Sequence, residues 1–151
     1  MHFFIPLKKI PSATHQMKQI TVRNGKPCVY EPPAVKDVRA LFLSQCSRFV
    51  PDSPLTGPVA LTTQWLYPAN PRHPEFTWKD TKPDTDNLVK MLKDVLTTLH
   101  FWHDDAQVAS ECIQKFYSGI SGIYVQIDQA PKLGGTHEPK RNDCPGPVRV
   151  P

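Results

Sequence analysis

KPDTDNLVKMLKDVLTTLHFWHDDAQV, residues 82–108, carries the clearest pattern in the chain. Leu88, Met91, Leu92, Val95, Leu96 and Leu99 recur at helical spacing, while Asp86, Lys90 and Asp94 fall on another side of the axis. The spacing predicts an amphipathic helix with its apolar side buried. Beyond it, Gln107 to Tyr117 lacks a helical stripe and leads through Ser118-Gly119 into a segment where Ile123, Val125 and Ile127 alternate with Tyr124 and Gln126. That alternation predicts two antiparallel strands joined by a turn.

Working towards the N-terminus, Val59, Leu61, Thr63, Trp65 and Tyr67 share one parity and predict a core strand, followed by a loop over 68–82 that starts PANPRHPEF. After Pro32-Pro33, Val35, Val38, Phe42, Cys46 and Phe49 sit at helical spacing, which predicts a second amphipathic helix packed on a sheet. Thr21 to Tyr30 brackets Asn24-Gly25 and reads as a hairpin, and Phe3 to Leu7 as an opening strand. Together these elements predict an α+β domain over residues 1–127, a small mixed sheet packed with two main helices. Residues 128–151 hold five Pro and three Gly with few large apolar side chains, so they are expected to form a tail or arm outside the core.

The chain has 151 residues, 39% of them hydrophobic and 21% charged, which suits one folded domain. Its 17 Pro residues imply long loops around a smaller regular core. No run of 18 apolar residues occurs, and the opening MHFFIPLKK lacks a leader pattern, so a cytoplasmic, non-membrane protein is expected. Cys28, Cys46, Cys112 and Cys144 show no paired spacing and are expected to be reduced and non-catalytic.

The formal net charge of +4 is unevenly spread: residues 1–74 carry +6, residues 75–111 carry −4 and residues 112–151 carry +2. Six carboxylates fall between Asp80 and Asp105 in an otherwise basic chain. An anionic partner could be held at that centre only if cations neutralised it, which is the condition of a metal-dependent phosphodiesterase.

Asp84 and Asp86 are two apart, and in an extended segment they point to the same side. Held close, they repel unless a cation intervenes, and a hard divalent ion answers that need. The plainer reading of Asp86 is a helix N-cap. Asp104 and Asp105 follow the aromatic anchors Phe101-Trp102, and their plainer reading is an exposed turn. Lys90 lies four residues from both Asp86 and Asp94, so it either pairs on the helix surface or stands as a cation beside the site. Lys79 and Lys82 are candidates for phosphate contacts. His100, His103 and Cys112 do not match a structural zinc pattern, and neither GxSxG nor GxxxxGK[ST] occurs.

The joined pattern from Lys82 to Val108 resembles the RusA family of Holliday-junction resolvases, usually encoded by phages and prophages. In that family an Asp-x-Asp-Asn motif opens the helix and Asp-Asp-x-Gln follows it. NGKPCVYEP and TGPVALTTQW resemble the family's earlier strands. The resemblance is strongest over residues 79–117. It implies that Asp84, Asp86 and Asp105 are the metal-centred aspartates, that Lys90 is the important lysine, and that Asp104 is the additional acidic position. Many relatives carry a more basic or asparagine-bearing segment after the first strand, where this chain reads PLKKIPSATHQMKQI, so DNA placement would fall to Lys8, Lys9, Lys18 and Arg23.

The function so implied is a magnesium-dependent endonuclease, with manganese as a substitute, that cuts four-way DNA junctions as a homodimer. Two related cuts suit a two-fold protein with two identical centres. The competing readings are a non-catalytic nucleic-acid-binding or structural protein, and a metal-dependent nuclease for other branched DNA or RNA. One spatial condition underlies the lead reading: the carboxylates before and after the middle helix must meet in one cation-holding pocket.

Overall fold

The computed structural model describes residues 1–12, 19–23, 25–132, 144 and 146–147, with the side chains of 19–23 and 27–29 outside that set. Its strands are β1 (His2–Pro6), β2 (Gln19–Arg23), β3 (Lys26–Tyr30), β4 (Val59–Pro68), β5 (Val108–Ser118) and β6 (Gly122–Gln129). Its helices are α1 (Pro33–Cys46) and α2 (Thr85–Thr98). This is the α+β arrangement expected, a small mixed sheet with two main helices. β2 and β3 form the hairpin read from Asn24-Gly25, although Asn24 itself lies outside the described residues.

The main sheet has the order β1-β6-β4-β5. β4 pairs antiparallel with β6 and parallel with β5. The two C-terminal strands are therefore not a hairpin: β4 lies between them, and residues 119–121 step across its end. Ser118 O accepts from Ala69 N at 2.9 Å and Ser121 O from Leu7 N at 3.1 Å, fixing both ends of that step. Two strand spacings, about 10 Å, are within reach of three residues. Gly122 is needed where the chain lands, since a Cβ there would stand 2.4 Å from Ile5 O and from the Phe4 ring.

Strand parity decides which face meets the helices. Phe3 and Ile5 of β1, Leu61 and Trp65 of β4, and Ile123, Val125 and Ile127 of β6 are buried with Leu88, Met91, Leu92, Val95 and Leu96 of α2 and Val35, Phe42 and Cys46 of α1. Pro33 opens α1 at a position where its missing N–H costs no hydrogen bond. Both helices thus cover one face. On the opposite face the fully buried Gln64 donates to Gln114 Oε1 at 2.7 Å and to Gly146 O at 3.0 Å.

Cys112 of β5 is disulfide-bonded to Cys144, contrary to the expectation that the cysteines are reduced. A separation of 32 residues, with part of β5 and all of β6 in between, leaves no sequence spacing from which the pair could be read. Cys46 is free and fully buried among apolar side chains, where desolvation pushes its thiol up to about 12. Among the described residues no helix is long and apolar enough to cross a membrane.

Candidate nuclease site

α2 begins at Thr85, so Asp84 rather than Asp86 is its N-cap residue. Asp84 makes no side-chain cap hydrogen bond, and Asp86 lies inside the first turn. Capping therefore occupies neither carboxylate, and both are exposed. Negative charge at a helix N-terminus is favourable, which offsets part of the repulsion between them. Lys90, one turn further on, is exposed and makes no ion pair among the described residues. Its alternative partner Asp94 is instead 4.0 Å from Arg39 of α1.

The loop leading into α2 is held by a residue that the sequence reading passed over. Lys115 of β5 donates from Nζ to Thr81 O at 2.6 Å and to Pro83 O at 2.7 Å, tying the backbone just before Asp84 to the sheet. Its signal was available in strand parity, because Lys115 occupies the helix-facing register between Ile113 and Tyr117.

At the other end of α2, Phe101 and Trp102 are fully buried, and Trp102 Nε1 donates to Thr97 Oγ1 at 2.7 Å. They anchor a 3-10 turn over Asp105–Gln107. Asp104 caps that turn by accepting from Ala106 N at 2.8 Å, while Gln107 Oε1 accepts from the backbone N–H groups of His103 at 2.8 Å and Asp104 at 3.2 Å. Gln107 Nε2 donates onward to Leu55 O and Gly57 O. The Asp-Asp-x-Gln pattern thus separates into a capping box, Asp104 with Gln107, and one exposed carboxylate that the box presents, Asp105.

The chain does not bring the three aspartates together. α2 has 14 residues and spans about 20 Å, with Asp84 and Asp86 at its start and Asp105 beyond its end. The parallel pairing of β4 and β5 requires this, since the crossover helix must return the chain to the end of the sheet where β4 began. Accordingly, among the described residues no group of three or more His, Cys, Asp or Glu side chains is placed to hold a metal ion. The expected convergence therefore fails within one chain. His100 and His103 are exposed and form no such group with Cys112.

Of the basic candidates, Lys8 and Lys9 are exposed just after β1 and Lys82 is exposed immediately before Pro83 and Asp84. Lys18 and the side chain of Arg23 lie outside the described residues. Lys79 Nζ bonds Thr81 Oγ1 and stands 4.9 Å from the centroid of the Tyr67 ring. Desolvation, with repulsion from Lys115 added, lowers its pKa from the ordinary 10.5, while Asp80 opposes the shift. Desolvation raises the Tyr67 phenol to about 12, with a contribution from Tyr117, so the ring beneath Lys79 remains neutral.

Residues 9–128 match the family described as Endodeoxyribonuclease RusA. The chain belongs to the RusA family. This RusA-family chain is also 31% identical over 119 residues to the uncharacterized protein YqaN of Bacillus subtilis (strain 168), covering 71% of this chain and 82% of that one. Over 72 residues it is 35% identical to the crossover junction endodeoxyribonuclease rusA of Lactococcus phage r1t, covering 48% of this chain and 55% of that protein. RusA membership points to a nuclease-type protein.

Proposed function

We propose that this RusA-family protein is a magnesium-dependent endonuclease of four-way DNA junctions, acting as a homodimer whose two centres are each built from both protomers. The observation that carries the proposal is the placement of Asp84 and Asp86 about one helix length from Asp105, with all three exposed and none making a side-chain cap hydrogen bond. A second copy, related by a two-fold axis, would set Asp105 of one protomer beside Asp84 and Asp86 of the other, twice over.

Three carboxylates form a hard-oxygen donor set, which suits magnesium better than a softer ion. The fit is partial within one protomer and complete only with the second. When bound, the ion would supply Lewis-acid polarisation of the scissile phosphate and an activated water. Asp84, Asp86 and Asp105 would hold it, and Lys90 would place positive charge against the phosphate oxygens. Asp104 is a positioning residue in this proposal, acting through the turn that carries Asp105. Lys115 would set the height of Asp84 through the carbonyls of Thr81 and Pro83. Lys8, Lys9, Lys79 and Lys82 would take the DNA backbone.

The name of the phage r1t relative, a crossover junction endodeoxyribonuclease, supports the choice of substrate. The test is cleavage of a synthetic four-way junction with magnesium and with chelator, alongside duplex, flap and RNA competitors. Metal-dependent paired nicking of the junction is expected. Tight junction binding with no cleavage under any metal would favour a non-catalytic role instead.

A further inference from the structure

Beside the start of α2 lies a cleft of about 360 Å³ whose lining includes Lys9, Tyr67, His73, Lys79, Lys82 and Tyr117. No carboxylate contributes to that lining among the described residues, although Asp84 is the next residue after Pro83 on its wall. The volume lies at the lower end of the range for a small-ligand site.

Its aromatic members are arranged for stacking. The His73 and Tyr117 rings are parallel, 4.5 Å apart at 6°, with His73 exposed and Tyr117 buried. His73 is held in place by its backbone: its N–H meets Asn70 O at 2.9 Å and Asn70 Oδ1 at 3.2 Å, and its carbonyl accepts from Asn70 N at 3.0 Å. A fixed turn therefore presents a flat ring with one face already occupied. Lys79 stands 4.9 Å from the Tyr67 ring centroid and 6.0 Å from that of Tyr117, so cations and ring faces adjoin in one recess.

Flat faces beside three lysines, with no carboxylate in the lining itself although Asp80 lies near enough to act on Lys79, suit a ligand that is itself a flat ring carrying a phosphate. We infer that the cleft is a subsite for one unstacked nucleotide of a DNA strand, its base lying on His73 and its phosphate between Lys79 and Lys82. The inference rests on the nuclease reading only for the identity of the strand. It would place an unpaired base beside Asp84, where a branch point offers one at less cost than a continuous duplex.

The test uses the full chain in chelator, so that no turnover is involved. Anisotropy compares a labelled five-thymidine oligonucleotide with an abasic oligonucleotide of the same length and charge. The base-bearing strand is expected to bind roughly tenfold more tightly. His73→Ala should remove most of that advantage, His73→Phe should retain it, and Lys79→Ala should weaken both strands while lowering the salt slope by about one. Equal binding of the two strands, or an advantage that survives His73→Ala in a folded variant, would overturn the subsite. Metal-dependent junction cleavage without a base advantage would defeat the subsite alone; a base advantage without cleavage would defeat the nuclease reading alone.

Discussion

Asp84, Asp86 and Asp105 are carboxylates at element ends that make no side-chain cap hydrogen bond, whereas their neighbour Asp104 does. That contrast separates the two kinds of aspartate experimentally. Asp86→Asn is expected to reduce junction cleavage at least 100-fold while thermal stability stays within about 0.5 kcal/mol of the parent, as for an exposed group without a structural partner. Asp104→Ala should instead cost about 1 kcal/mol through its lost cap, measured by denaturant unfolding. Alkaline pH gives a second contrast. Cys46 and Tyr67 both hold their protons up to about 12, above the ordinary 9.0 and 10.0, so the folded state binds protons that the unfolded state releases. Their contribution to stability is complete below about pH 9 and is lost as pH rises towards 12. Melting temperature measured from pH 7 to 11 should be flat with respect to these groups and then fall, and Cys46→Ala should reduce the fall. The acidic residues were legible because residue type and spacing express the chemistry directly. For Lys115 strand parity states only the side it faces; its role was not legible, because its partners are the carbonyls of a loop 32 to 34 residues away.

At the scale of elements, α2 was readable from its stripe alone, since each position at that spacing faces the same core. Leu92 is fully buried in that core. Leu92→Ala should therefore cost about 2–5 kcal/mol in equilibrium unfolding, far more than any change on the exposed side of the helix. The strands were legible as strands, with ends correct to within about two residues, but their neighbours were not. Alternation in Ile123, Val125 and Ile127 states which face is buried and says nothing about which strand lies alongside. A short Ser-Gly connection suggested a hairpin, yet the same few residues can step over an intervening strand, as 119–121 do over the end of β4. That placement leaves β5 parallel to β4 and carries Asp105 to the end of the sheet opposite Asp84.

The whole molecule adds two constraints that no local pattern contains. The Cys112–Cys144 bond ties the C-terminal segment to β5 across 32 residues of chain. Cys144→Ser is expected to cost about 2–4 kcal/mol in stability under non-reducing conditions, with dithiothreitol giving a comparable loss in the parent and none further in the variant. The second constraint is the separation of the aspartates, which makes the proposed centre a property of two chains. The most direct measurement mixes two inactive variants, Asp86→Asn and Asp105→Asn, each carrying a different affinity tag, and assays the tandem-purified heterodimer on a magnesium-supplemented four-way junction. Centres shared between protomers leave one of the two sites in that heterodimer with all its carboxylates, so nicking at about half the wild-type rate is expected. A heterodimer that forms and binds the junction yet remains as inactive as either parent would contradict the shared centre.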